Sequence, residues 1–240
     1  MTAPRTQLFC VPHAGGSAGV FRPWQRTFPD HIDVVPLEPA GRGTRRSEDF
    51  ATQVPQAAAD LAGLLLDRLD TDRFFLLGHC MGALIAYEMV HHLERAGLPT
   101  PHTLIVSGRN PPHLQTEWGK RVAKLPDDEL FAELRSVGGV PKGLSRAMAD
   151  GFLHIIRNDQ AMVHAYTPAD PPPVVDVPVH VLAGREDEMT HPDRLLGWSA
   201  YTTGPVEVEH LTGGHYFLYD WPDHVASRVT GWTAQEAVTA

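Results

Sequence analysis

Residues 73–83 read Arg73-Phe74-Phe75-Leu76-Leu77-Gly78-His79-Cys80-Met81-Gly82-Ala83, and this stretch decides the fold of the chain. An apolar run typical of a strand ends at Leu77, and a helical pattern begins at Ala83. Gly78 and Gly82 leave out the side chains that would block so tight a turn. The spacing matches a G-x-S-x-G nucleophile elbow with cysteine at its centre. It predicts that Cys80 stands above a sheet, at a helix N-terminus that favours its thiolate.

Short apolar runs alternate with helix-length amphipathic stretches along the chain. Continuous apolarity is typical of strands buried on both faces, and the alternation with helices favours a parallel sheet. We therefore predict an α/β fold with a mostly parallel central sheet flanked by helices, as a single domain over residues 1–240. The runs predicted to form strands are Gln7–Val11, Ile32–Pro36, Arg73–Leu77, Thr103–Val106, Val177–Leu182 and Val206–Glu209.

Residues 114–166 interrupt this alternation because they contain helical patterns and no convincing strand. We interpret this stretch, called the lid segment below, as a helical insertion above the sheet. The alternative is that its helices simply cover a face of the sheet.

Composition narrows the functional classes. The 240 residues include 20 Lys and Arg against 29 Asp and Glu, a net charge of −9, and no basic run offers a surface for nucleic acid. Two cysteines make no disulfide framework, which predicts a reduced, cytoplasmic protein. We expect neither a signal peptide nor a membrane span, because no apolar run is long enough. No metal is expected either: no H-E-x-x-H motif occurs, and His91 and His92 are adjacent and so face different directions on a helix.

An acid and a histidine follow the elbow in the order that a hydrolytic triad on such a fold requires. Glu186 and Asp187 both lie in the loop after the run Val177–Leu182, and the spacing from Gly184 together with its shorter side chain favours Asp187. His215 lies in the loop after the run Val206–Glu209, just before an apolar helix start. The sequence therefore predicts a Cys80, His215 and Asp187 triad.

Acyl transfer also needs backbone donors directed at the developing oxyanion. One is expected from Met81, directly after the nucleophile, and the other from Ala14 in the small-residue loop after the first strand. This loop fits neither phosphate-binding glycine motif. We interpret His13 as structural and Cys10 as a buried core residue.

Together these residues make the chain resemble the type II thioesterases that accompany polyketide and nonribosomal peptide synthetases. The resemblance covers nearly the whole chain and rests on five blocks. It implies an α/β-hydrolase fold with a helical lid, and hydrolysis of stalled or aberrant acyl chains on the phosphopantetheine arm of acyl or peptidyl carrier proteins, with no cofactor of its own. The blocks are Phe9–Ala18, Pro39–Gly43, Gly78–Gly82, Asp187 and Gly213–Phe217.

Asp187 and His215 match the family, whereas Cys80 departs from it, because the family normally has serine at that position. An acyl group on cysteine is a thioester and stays activated. The alternative function is therefore an acyltransferase or cyclising thioesterase, which would pass the acyl group from Cys80 to a second thiol, an amine or a hydroxyl. A third possibility is a catalytically silent binder on a hydrolase fold.

Two basic clusters could meet an acidic carrier domain, although the charge pattern favours an ordinary solvated face for each. The sequence indicates neither the docking surface nor the oligomeric state. The clusters are Arg42, Arg45 and Arg46 in an early loop, and Lys120, Arg121 and Lys124 in the lid segment.

Overall fold

The computed structural model of the protein describes residues 5–114, 117–122, 124–140 and 142–239. Six strands form one sheet in the order β2-β1-β3-β4-β5-β6, and all five neighbouring pairs are parallel. The predicted α/β fold with a parallel sheet is confirmed. The strands are β1 (Thr6–Val11), β2 (Ile32–Pro36), β3 (Phe74–His79), β4 (Thr103–Ser107), β5 (Val179–Gly184) and β6 (Val206–Leu211).

Seven α-helices surround the sheet in the described part of the chain. Strand β1 shows how the two faces are covered: Phe9 and Val11 pack into the core that contains α1 and α2, whereas Leu8 and Cys10 point into a second core beside α7. Burying one such large apolar side chain contributes about 1.5–3 kcal/mol. The helices are α1 (Val54–Leu66), α2 (Met81–Arg95), α3 (Glu117–Val122), α4 (Asp127–Ser136), α5 (Asp150–Ala165), α6 (Phe217–Asp220) and α7 (Pro222–Thr239).

The order of the strands reverses between β1 and β3. After β1 the chain adds β2 on one side, and it then crosses over to place β3 on the other side of β1. In open parallel sheets, ligands bind at the carboxyl ends of the strands at such a switch point. Val11 lies beside Gly78 in the β1–β3 register, so the loop after β1 and the turn after β3 both emerge there.

The lid segment has no strand among its described residues; it holds α3, α4, a 3-10 turn at Arg146–Met148 and α5. Residues 115, 116, 123 and 141 of the predicted segment lie outside the described residues, as do residues 1–4 and 240 of the predicted domain. Helix α5 packs directly on the loop after β1, where a Cβ atom added to Gly15 would lie 2.4 Å from Ile156 Cδ1.

The predicted basic cluster after β2 is not a continuous cationic surface. Arg42 is buried and paired with Asp159, and Arg45 binds the carboxylates of Glu48 and Asp60. Of the three arginines in this cluster, Arg46 is the exposed one, and it forms no ion pair with the described residues. The cluster could not be judged from the arginines alone, because two of the carboxylate partners, Asp60 and Asp159, come from other elements of the chain. In the described part of the chain, no helix has the length and apolarity that crossing a membrane requires.

Candidate active site

The turn after β3 holds Cys80 in a conformation that few side chains adopt. Its φ of 55° and ψ of −112° make it the one described non-glycine residue with positive φ. The tightness of the turn explains the glycines: a Cβ at Gly78 would lie 2.1 Å from the carbonyl oxygen of Gly82, and one at Gly82 would lie 2.3 Å from that of Val11. The Cys80 N–H donates a 2.8 Å hydrogen bond to the Ser107 carbonyl at the end of β4. Backbone packing therefore presents Cys80 at the switch point, as the elbow motif predicts.

His215 and Asp187 meet in the loops after β6 and β5. The distance between His215 Nδ1 and Asp187 Oδ2 is 2.9 Å, and both residues are buried. Asp187 Oδ1 accepts a 2.8 Å hydrogen bond from the Met189 N–H, which fixes the carboxylate. The competing acid, Glu186, instead accepts a hydrogen bond from the Gly213 N–H. The structure thus pairs the imidazole with Asp187.

Cys80 and His215 stabilise each other's charged forms. Burial opposes protonation of His215, but the nearby Cys80 thiolate and the Asp187 carboxylate outweigh it and raise the His215 pKa to about 10. Burial likewise opposes ionisation of Cys80, but the His215 imidazolium, Arg109 and the Met81 N–H together lower the Cys80 pKa. The arrangement therefore favours a thiolate–imidazolium pair, the form in which cysteine is nucleophilic.

A small cavity of about 50 Å³ lies over the sulfur. Ala14 and Met81 both line it, as do Gly119 of α3 and Gln160 of α5. The Ala14 N–H donates to no acceptor within the described residues, so it is available to a ligand. The Met81 N–H lies close enough to Cys80 to lower the pKa of the thiol. Both residues expected to supply oxyanion donors thus line the cavity.

Arg109 also lines this cavity, and the sequence reasoning missed it. It follows the end of β4 by two residues, so its place after a neighbouring parallel strand was the available signal. No carboxylate of the described residues pairs with it, and its buried Nε atom has no hydrogen-bond partner there. A cation with no carboxylate partner among the described residues therefore lines the same cavity as Cys80.

Two further imidazoles lie behind His215. The Nδ1 atom of His13 is 2.8 Å from the Tyr219 hydroxyl, and burial lowers the His13 pKa to about 3. His79 lies with its ring 5.1 Å from that of His215, and burial keeps its pKa well below the usual range. Both rings are therefore neutral at physiological pH, and the His79 ring packs against that of His215.

Cys10, the other thiol, is fully buried in β1, and burial raises its pKa, which keeps it in the unreactive thiol form. Within the described residues, no group of three or more His, Cys, Asp or Glu side chains could hold a metal ion.

The sequence profile of the thioesterase domain family matches residues 6–233 of the chain. A probable cadicidin biosynthesis thioesterase of Streptomyces griseus is 33% identical over 229 residues, covering 95% of this chain and 62% of the relative. The chain thus spans a little under two thirds of that relative's length.

Two solved structures share the architecture over nearly the whole chain. RedJ, a thioesterase of the prodiginine biosynthetic pathway in Streptomyces coelicolor, has a TM-score of 0.85 and 34% identity, covering 95% of this chain and 85% of its own. YbtT, a type II thioesterase of the yersiniabactin NRPS/PKS pathway, has a TM-score of 0.84 and 26% identity, covering 95% and 93%. Together with the family match and the parallel α/β sheet, these likenesses show that the chain has the α/β-hydrolase fold and belongs to the thioesterase family of thioester hydrolases.

Proposed function

We propose that the chain hydrolyses stalled or aberrant acyl groups on the phosphopantetheine arm of carrier proteins in polyketide or nonribosomal peptide biosynthesis. The observation that carries this proposal is Cys80 at the switch point, beside a buried His215–Asp187 pair and a cavity lined by Ala14 and Met81. The relation to RedJ and YbtT supports the choice of pathway. The acyl group arrives on the partner's arm, so the chain needs no cofactor or metal of its own.

In the first half-reaction, the Cys80 thiolate attacks the thioester carbonyl carbon. The N–H groups of Met81 and Ala14 stabilise the oxyanion of the tetrahedral intermediate. As the intermediate collapses, the bond from the carbonyl carbon to the phosphopantetheine sulfur breaks. The leaving sulfur takes the proton from Nε2 of His215, and the acyl group is left on Cys80 as a thioester.

In the second half-reaction, the neutral imidazole of His215 takes a proton from water. The resulting hydroxide attacks the acyl carbon, the bond to Cys80 breaks, and a carboxylic acid leaves. The thiolate and the imidazolium are restored together. Asp187 holds Nδ1–H throughout, so that Nε2 faces the reacting atoms.

The lid segment would open to admit the acyl chain. The cavity beside Cys80 is bordered by two helices of this segment. Gly119 of α3 and Gln160 of α5 line it, so movement of these helices would enlarge it. Such a role for residues 114–166, in a single domain that acts in the reducing cytoplasm, completes the proposal.

Cys80 itself favours a second candidate function, acyl transfer. A thioester on Cys80 keeps about the same activation as the thioester on the carrier, so a second carrier thiol, an amine or a hydroxyl could accept the acyl group in place of water. Transfer or cyclisation would use the same first half-reaction and the same residues.

The test mixes the protein with one acyl-loaded carrier domain and a second carrier with a free phosphopantetheine thiol. Released acid in step with free thiol supports hydrolysis, whereas acyl mass on the second carrier supports transfer. Asp187→Asn should slow either reaction by roughly 10³ to 10⁴, because the imidazole loses its orienting anion. Its matched control is Glu186→Gln, which alters the adjacent carboxylate and should keep the wild-type rate. Equal rates for all three proteins would refute the proposed triad.

A further inference from the structure

Asp159 is a carboxylate of α5 that reaches the loop after β1. Its side chain has 0% exposure, and its Oδ2 atom accepts a 2.7 Å hydrogen bond from the Gly15 N–H. That N–H belongs to the peptide that follows Ala14, which supplies one of the two proposed oxyanion donors. Helix α5 of the lid segment thus fixes the peptide that directly follows the proposed oxyanion donor, the Ala14 N–H.

Arg42, from the loop after β2, completes the contact. Its Nη1 atom donates to Asp159 Oδ2 and its Nη2 atom donates to Asp159 Oδ1, each at 2.6 Å. Nη1 also lies 3.3 Å from the Gly16 carbonyl oxygen, to which it donates. Two-pronged ionic hydrogen bonds of this kind are stronger and more directional than neutral ones. The pair therefore holds a donor and an acceptor of adjacent loop residues, Gly15 and Gly16.

The same loop has no room to relax towards α5. Gly15 has a φ of +79°, and a Cβ there would lie 2.4 Å from Ile156 Cδ1 and 3.1 Å from Phe152 Cε2. The loop backbone and the helix are thus in direct contact. A displacement of α5 away from the loop would draw the carboxylate from the Gly15 N–H, because Asp159 is part of the helix.

We propose that Asp159 and Arg42 are positioning residues that hold the Ala14 N–H in its oxyanion-binding orientation. The oxyanion hole is complete only while α5 lies on the loop after β1. Closure of the lid segment therefore also assembles the catalytic site. This inference rests on the proposed function in one respect, namely that Cys80 takes up acyl groups. It differs from a purely structural role, in which the pair would only hold the lid segment down.

The test compares two reactions of the same sulfur. Acylation of Cys80 by p-nitrophenyl acetate passes through an oxyanion and releases p-nitrophenolate. Alkylation by iodoacetamide forms a carbon–sulfur bond and releases iodide with no oxyanion. The double variant Arg42→Met/Asp159→Leu removes both buried charges together and leaves Gly15 N–H without its acceptor. We expect its acylation to fall by about 10² or more, the usual loss for one oxyanion donor, and its alkylation to keep the wild-type rate.

Asp159→Asn keeps the test valid if the double variant does not fold. Asparagine retains an oxygen for the Gly15 N–H but loses the charge, so acylation should fall by about tenfold, less than in the double variant. Asp60→Asn is the matched control. It removes the carboxylate that Arg45, which lies with Arg42 in the loop after β2, binds at 2.7 Å, and it leaves the Gly15 hydrogen bond unchanged. Both of its rates should equal those of the wild type.

Wild-type acylation in the folded variants would overturn the proposal, as would a parallel fall of acylation and alkylation, which indicates general disruption of the site. A wild-type Cys80 that iodoacetamide alkylates but p-nitrophenyl acetate does not acylate would overturn it too. Normal acylation by p-nitrophenyl acetate without activity on acyl-carrier proteins would refute the proposed function alone.

Discussion

The proposed chemistry is concentrated in two residues, Cys80 and His215, whose charges stabilise each other. The His215 pKa of about 10 lies above its ordinary value of 6.5. The imidazolium therefore stabilises the fold fully below pH 6.5, and this contribution is lost as pH rises through about 10. The lowered Cys80 pKa acts in the opposite sense, since its contribution is lost as pH falls through that pKa. Both groups are therefore charged between the Cys80 pKa and about pH 10.

Removing the imidazole should expose how much it activates the thiol. Because His215 is the strongest of the influences that lower the Cys80 pKa, His215→Ala should move the onset of Cys80 alkylation to higher pH. Iodoacetamide rates measured against pH, with peptide mass spectrometry to separate Cys80 from Cys10, would show the shift. His224→Ala, which removes an exposed imidazole of α7, is the control. An unchanged onset in His215→Ala would contradict the ion pair.

Arg109 should contribute to the same activation. Its positive charge lowers the Cys80 pKa, so Arg109→Met should raise that pKa and shift the alkylation profile to higher pH, in the same direction as His215→Ala. Arg109→Lys keeps a positive charge and should stay closer to the wild-type profile. A profile for the methionine variant that overlays the wild type would show that Arg109 has no electrostatic influence on the sulfur.

At the scale of elements, the elbow joins β3 to α2 so tightly that a Cβ atom at Gly78 or Gly82 would clash with neighbouring backbone. The sequence predicted this unit well, because Gly78, Cys80 and Gly82 are neighbours in the chain and their spacing carries the geometry. The six strands were also predictable, since most of them are short apolar runs. The start of β5 was placed two residues early, at Val177, where the chain still runs through Pro178, a residue without the N–H that a strand ladder needs.

The elbow gives a stability prediction. Gly78→Ala should lower the free energy of unfolding by about 3 kcal/mol or more, because its Cβ meets the backbone of Gly82, which has no rotamer to change. Gly63→Ala, in the exposed middle of α1 with no atom near the added Cβ, should raise it by about 0.5–1 kcal/mol. Urea unfolding of both variants, compared with the wild type, measures the two changes in the free energy of unfolding. A Gly78→Ala protein as stable as the wild type would mean that the turn is looser than described.

At the scale of the whole molecule, the switch point between β1 and β3 gathers groups from distant parts of the chain. The order of Cys80, Asp187 and His215 was readable because each follows a recognisable strand. The contact between Arg42 and Asp159 was not readable, since the two are separated by 117 residues and no local pattern links a loop arginine to a helix aspartate. Arg109 was missed although it follows β4, because its importance depends on the cavity, which exists only in the folded chain.

The central claim is that Cys80 carries the acyl group as a covalent intermediate. The most direct measurement is intact-protein and peptide mass spectrometry of the protein after brief mixing with an acyl-loaded carrier domain and acid quench. We predict the acyl mass on the peptide that contains Cys80, the same mass as an oxyester in Cys80→Ser, and none in Cys80→Ala. Acyl mass at another residue, or turnover by Cys80→Ala at the wild-type rate, would contradict the account.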